Sequence, residues 1–231
     1  MFDPMYLLLV ALPTMVLSMG ASALTKSTFK KYSRQRASTG LTGAEAAQRM
    51  LDRAGITDVK VVATRGYLSD HYNPINKTLA LSEATYAQPT VAAIGVACHE
   101  AGHAIQHARS YAPLWVRSAL VPVAGIGSNI GLYAMMIGLG FTWTGLVGLG
   151  ALLFSAVVAF QLVTLPVEFD ASARAKKLAY EYGLVSQHER EGVSKVLNAA
   201  AMTYVAAAAS SILTLLYFLY RAGLLGGNRN N

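Results

Sequence analysis

His99-Glu100-Ala101-Gly102-His103 brings two imidazoles and a carboxylate together within five residues. On a helix, side chains four apart share a face, so His99 and His103 can aim ring nitrogens at one Zn²⁺ while Glu100 acts as base towards a water at the metal. That grouping is what zinc-dependent peptide hydrolysis requires. His107 repeats the interval, but three ligands from one straight helix rarely converge on one ion, so the third ligand is expected from elsewhere.

A chance motif on a polar helix surface would have polar neighbours along the helix. Residues 90–98 are small, apolar and uncharged, which predicts a helix buried on nearly all sides before the histidines arrive. Buried imidazoles and a buried carboxylate need partners, and a metal ion satisfies all three. Cys98 is the only cysteine, which excludes an intrachain disulfide and a cysteine-rich zinc site; it reads as a small core residue.

Elements that position such a motif must be sought in an unusual composition, 54% hydrophobic and only 13% charged over 231 residues. These values predict an integral membrane protein, mainly α-helical. The net charge of +7 does not indicate nucleic acid, because the basic residues crowd beside apolar segments instead of alternating with aromatics.

Residues 5–24 carry no charge and are long enough to cross a hydrocarbon core of about 30 Å as a helix. Lys26, Lys30, Lys31, Arg34 and Arg36 follow, marking an uncleaved anchor with its N-terminus outside and its basic end in the cytoplasm. Further apolar stretches at 118–139, 141–165 and 202–219 give four crossings in all, the middle two as a hairpin with its tip outside. The expected organisation is therefore a first crossing within 1–24, a cytoplasmic subdomain over 25–117, a transmembrane hairpin over 118–165, a cytoplasmic helical segment over 166–200, a fourth crossing over 201–220 and a tail over 221–231, holding Arg221 and Arg229 and expected outside. Glycines in the hairpin fit close helix packing in lipid. The spans 118–139, 141–165 and 202–219 contain no Asp, Glu, Lys, Arg or His, which argues against transport.

Within 25–117, Thr42 and Glu45 predict a capped helix ending near Gly55, followed by short strands over 59–63 and 77–82 with a turn at 73–76. The motif helix is expected over 90–107. The third crossing returns to the cytoplasmic side at Glu168 and Asp170, where the motif also lies. Glu168 is the expected third zinc ligand, leaving the fourth position open as in catalytic sites, and Asp170 a supporting group or cap. The plainer alternative is that both carboxylates solvate a helix end.

The extended motif through Ala104-Ile105-Gln106-His107, together with Gly40-Leu41-Thr42-Gly43-Ala44-Glu45, Leu68-Ser69-Asp70-His71-Tyr72-Asn73-Pro74, Leu79-Ala80-Leu81-Ser82-Glu83 and Leu165-Pro166-Val167-Glu168-Phe169-Asp170-Ala171-Ser172, resembles the YugP-type neutral zinc metallopeptidases, bacterial multi-pass membrane proteins. The chain is more distantly similar to the HtpX and CAAX-prenyl endopeptidase group, in which Glu-(aromatic)-x-Ala-Asp supplies a zinc ligand from its first residue. That resemblance again implies Glu168. Ser172 stands where that pattern has Asp, leaving Asp170 or a backbone carbonyl to orient the zinc-bound histidines. The resemblance implies a zincin-like α+β subdomain.

The resulting expectation is a zinc-dependent membrane endopeptidase of the plasma membrane, its site facing the cytoplasm, with Glu100 as catalytic base. The alternative is a non-catalytic scaffold or assembly factor with a structural zinc. His71, Tyr72 and Arg174 are candidates for stabilising the oxyanion. Thr78, Leu79, Ala80 and Leu81 form a candidate edge strand for a peptide substrate, the bland reading being a structural strand. His107 is expected to flank the cleft and His188 to lie on a solvated surface. Expected partners are a peptide or membrane-protein substrate, the bilayer, and a second copy or another membrane protein.

Overall fold

The computed structural model describes residues 3–225; Arg229 lies outside the described residues. In chain order the elements are α1 (Pro4–Tyr32), α2 (Gly43–Arg53), β1 (Lys60–Thr64), β2 (His71–Asn73), β3 (Thr78–Ser82), α3 (Glu83–Tyr86), α4 (Val91–Ala108), α5 (Ala112–Gly140), α6 (Thr144–Glu181) and α7 (Gln187–Arg221). The protein is mainly helical, and α1, α5, α6 and α7 are each long and apolar enough to cross a membrane. The third of these starts at Thr144 and not at residue 141: Phe141–Trp143 make the turn between α5 and α6, with Thr142 at φ 54°.

The chain divides into two compact units. One contains the described residues up to Gly20, Trp115–Pro166 and those from Thr203 onward. Its core is Val10, Met135, Val147, Ala151, Phe154, Tyr217 and Phe218. Glycine sets how closely α5 and α6 approach: a Cβ on Gly127 would sit 2.4 Å from the Leu153 carbonyl oxygen, and one on Gly138 would sit 2.7 Å from the Val147 nitrogen. Backbones this close gain dispersion contacts that lipid cannot supply. Leu8, Val16, Leu152 and Ile130 are more than half exposed, as side chains facing lipid would be.

The second unit contains Ala21–Leu114 and Val167–Met202. Here Thr42 caps α2: its hydroxyl accepts from the Glu45 amide while the Glu45 carboxylate accepts from the Thr42 amide. Ala46, Ala47, Met50 and Leu51 form the buried face of α2 and pack with Leu79, Leu81, Ile94 and Ala97. Burying each large side chain contributes about 1.5–3 kcal/mol. Glu189 is buried and accepts from the amides of Ser38 and Ser186, tying distant loops together.

The sheet order is β1-β3-β2, with β1 parallel and β2 antiparallel to β3. This corrects the expectation for Thr78, Leu79, Ala80 and Leu81. They lie in the central strand, hydrogen-bonded on both sides, and Leu79 to Leu81 are buried, so no open edge remains for a substrate there. Among the described residues the unpaired edges belong to β1 and β2. The region around His71, which reads as a polar turn, is itself strand β2, joined to β3 by a turn over 74–77. Three polar residues give no alternation by which a strand could be recognised.

Candidate metal centre

α4 is capped by the Thr90 hydroxyl, which accepts from the Ala93 amide, and is buried through Val91–Gly95, Ala97 and Cys98 before it reaches the motif. Burial pushes the Cys98 thiol up to about 12, so it remains protonated and apart from ligand chemistry. One turn further on, α4 meets α6 almost backbone to backbone. A Cβ on Gly102 would lie 2.7 Å from the Ala171 carbonyl oxygen. Only glycine permits this approach, and it brings Glu168 over the two histidines.

His99 Nε2 is 3.2 Å and His103 Nε2 3.5 Å from the same oxygen, Glu168 Oε2. One ligand atom from each residue can be chosen so that all lie within 4.8 Å of one another. Donors held about 2.0–2.1 Å from a tetrahedral ion are separated by about 3.3–3.4 Å, so the spacing and the two-nitrogen, one-oxygen donor set both fit Zn²⁺. The side chains are 13%, 12% and 3% exposed, which leaves a shielded site with some access.

Both histidines have their other nitrogen occupied. His99 Nδ1 lies 3.1 Å from Ser172 Oγ, and His103 Nδ1 lies 3.0 Å from Gln106 Oε1. Since Gln106 Oε1 can only accept, His103 carries a proton on Nδ1, which leaves Nε2, on the Glu168 side, as the nitrogen that could bind a metal ion. Gln106, fully buried, donates its two amide hydrogens to the Val167 carbonyl and to Asp170 Oδ2, each at 2.8 Å. Asp170 also accepts from Arg174 Nε at 2.6 Å. The sequence leaves open which group orients the histidines; here Ser172 itself reaches His99, and Asp170 reaches His103 through Gln106. Gln106 carries no signal in the sequence, because its role exists only when α4 and α6 are packed together.

Glu100 is buried, and that burial raises its carboxyl above the ordinary 4.5; Glu168 and Asp70 add to the rise, while His99 and His103 oppose it. For His103, burial favours the neutral ring, but Glu168 and Glu100 outweigh it and lift the imidazole above 6.5. Protons therefore compete with metal from a higher pH than at a free histidine. Zinc affinity is expected to start falling above pH 6.5 as the pH is lowered, measured by chelator competition across a pH series.

Of the remaining candidates, Tyr72 on β2 places its hydroxyl 2.8 Å from His107 Nδ1, one turn beyond His103. Burial, with a contribution from Asp58, pushes that phenol up to about 12, so it keeps its proton and can donate. His71 is exposed and its Nδ1 lies 2.9 Å from the Ser69 carbonyl oxygen. Arg174 is held by Asp170, with its guanidinium 5.8 Å from the centre of the Tyr111 ring. His188 is exposed.

Two substitutions test how the site is positioned. Gln106→Leu, which removes the partner of His103 Nδ1, is expected to weaken zinc binding about 10–100-fold by chelator competition. Gly102→Val drives a branched side chain into the α6 backbone and is expected to cost about 1–3 kcal/mol, or more, and to weaken zinc binding as well. Gly95→Ala, whose Cβ would come no closer than 3.4 Å to a neighbouring atom, the Val193 Cγ1, is the tolerated control in thermal denaturation.

A family model described as "Putative neutral zinc metallopeptidase" matches residues 6–223. The chain is 46% identical over 215 residues to the "Putative membrane protease YugP" of Bacillus subtilis (strain 168), covering 93% of this chain and 96% of that protein. No solved structure gives a significant match.

Proposed function

The chain belongs to the putative neutral zinc metallopeptidase family, and we propose that it is a zinc-dependent membrane endopeptidase whose metal is held by His99, His103 and Glu168 and whose base is Glu100. The observation that carries this reading is the convergence of His99, His103 and Glu168 on one point, with a buried carboxylate beside them. When bound, Zn²⁺ would lower the pKa of water towards neutrality and polarise a peptide carbonyl.

Glu100 accepts the proton of the attacking water and returns it to the leaving amine. Its low exposure keeps the carboxylate from spreading its charge into solvent, which strengthens it as a base. Ser172 and Gln106 hold the two imidazoles against rotation, so neither ring needs to reorganise during turnover. Tyr72, hydrogen-bonded to His107 one turn beyond His103, is the donor we assign to the developing oxyanion. An extended substrate would add to the unpaired edge of β2, the strand that carries Tyr72. We assign the α+β unit a zincin-like role.

Charge placement supports a plasma-membrane protein with this site facing the cytoplasm: the basic cluster Lys26, Lys30, Lys31, Arg34 and Arg36 ends the first crossing. Substrates are then peptides or exposed segments of membrane proteins, and the small-residue helix faces allow a second copy or another membrane partner. The test is comparative proteomics of cells carrying the wild-type or Glu100→Gln protein, with substrates captured on the inactive form. Proteins that accumulate and co-purify with Glu100→Gln support an endopeptidase; identical proteomes with nothing captured across growth conditions would favour the scaffold reading.

A further inference from the structure

α1 and α7 run side by side within the second unit. The Thr25 hydroxyl donates to the Ala199 carbonyl at 3.0 Å, and seven residues along α1 the Tyr32 ring presses on Gly192, where a Cβ would meet it at 2.8 Å. Seven forward on one helix matches seven back on the other, so the two are antiparallel here. Beside this contact lies a groove of about 360 Å³.

Its walls share a gradient. Leu24 and Met202 line one end and Lys31 and Lys195 the other. Each pair of wall residues is separated by seven positions, about 10 Å along a helix. Because the helices are antiparallel, both walls change from apolar to cationic in the same direction. Tyr32 marks the cationic end: Lys31 Nζ lies 5.4 Å from its ring centre, and Lys195 lines the groove with it. Lys176 joins them through Asn198, whose Oδ1 accepts from its ammonium at 3.1 Å. The opposing charge is Glu191, 2.5 Å from Lys195 and largely exposed. Lys31 and Lys195 thus stand at this end with Lys176 bonded to the groove residue Asn198, Glu191 pairs with Lys195, and each ammonium has three donors.

We propose that this groove binds an anionic phospholipid, its phosphate between Lys31 and Lys195 and its first acyl segments against Leu24 and Met202. A free anion would use only the cationic end. The apolar end, with Leu24 and Met202 each almost half exposed on helices able to cross a membrane, calls for a chain joined to that anion. Basic pockets between membrane helices act in this way on anionic headgroups. The proposal rests on α1 and α7 crossing a bilayer and is independent of peptidase activity.

The test is native mass spectrometry of the full chain from nanodiscs of equimolar phosphatidylglycerol and phosphatidylcholine. Wild-type protein is expected to retain phosphatidylglycerol at least about fivefold over phosphatidylcholine. The pair Lys31→Gln with Lys195→Gln is expected to bring that ratio near one, whereas Lys31→Arg with Lys195→Arg keeps it. A control pair on the same unit, Lys60→Gln with Arg65→Gln, should leave it unchanged. Should the double Gln protein fold poorly, the single variants carry the comparison, each with a reduced preference. Equal retention of both lipids by the wild type, or an unchanged preference in the Gln variants, overturns the proposal. Glycerophosphate binding as tightly as phosphatidylglycerol would overturn it too, assigning the groove to a free phosphate ester.

Discussion

Glu100→Gln protein is expected to keep its zinc and to lose hydrolysis of a labelled casein by a factor on the order of 10²–10⁴. The amide has the shape of the carboxylate but cannot accept the proton that the attacking water must release. Zinc retention follows because the proposed ligand atoms belong to His99, His103 and Glu168, and the bonds of the two histidines to Ser172 and Gln106 do not pass through Glu100. The substitution also removes a carboxyl whose ionisation burial opposes, so the folded protein should be no less stable. The scaffold reading makes the opposite prediction: a structural zinc needs no base, and Glu100→Gln cells would then be indistinguishable from wild type.

Glu168→Ala is expected to weaken zinc binding by more than about 100-fold, the upper range for losing a mere supporting contact. Glu168 lies within 3.5 Å of both imidazoles, and its side chain is 3% exposed, so water cannot readily replace its charge. His103 loses the main group that favours its cation, so competition by protons should move to lower pH even as metal affinity falls. Chelator competition at two pH values reads both effects. Glu181→Ala on the same helix, where the carboxylate is 46% exposed and paired with Lys177, should change neither.

The three residues of the cluster that could hold a metal were legible in the sequence for two separate reasons. His99 and His103 follow from helical periodicity alone, and Glu168 follows from counting apolar stretches until the chain returns beside the motif. The supporting groups were not legible. Ser172 reads as a departure from an Asp-bearing pattern until its hydroxyl is found 3.1 Å from His99. Gln106 looks like ordinary helix polarity until Gly102 allows α6 to approach closely enough to bury it. The sheet misled in the same manner. The alternation in β3 indicates a strand but not its neighbours, and its central place depends on β2, too short to carry a pattern. Local spacing identifies groups that act within one element, whereas contacts between elements need the packed backbone.

X-ray absorption at the zinc edge of the purified full chain tests the central claim most directly. The account predicts one zinc per chain with two imidazoles and otherwise only light oxygen or nitrogen donors, and a changed spectrum in Glu168→Ala. A sulfur donor, a single imidazole, or a Glu168→Ala spectrum identical to wild type would contradict it.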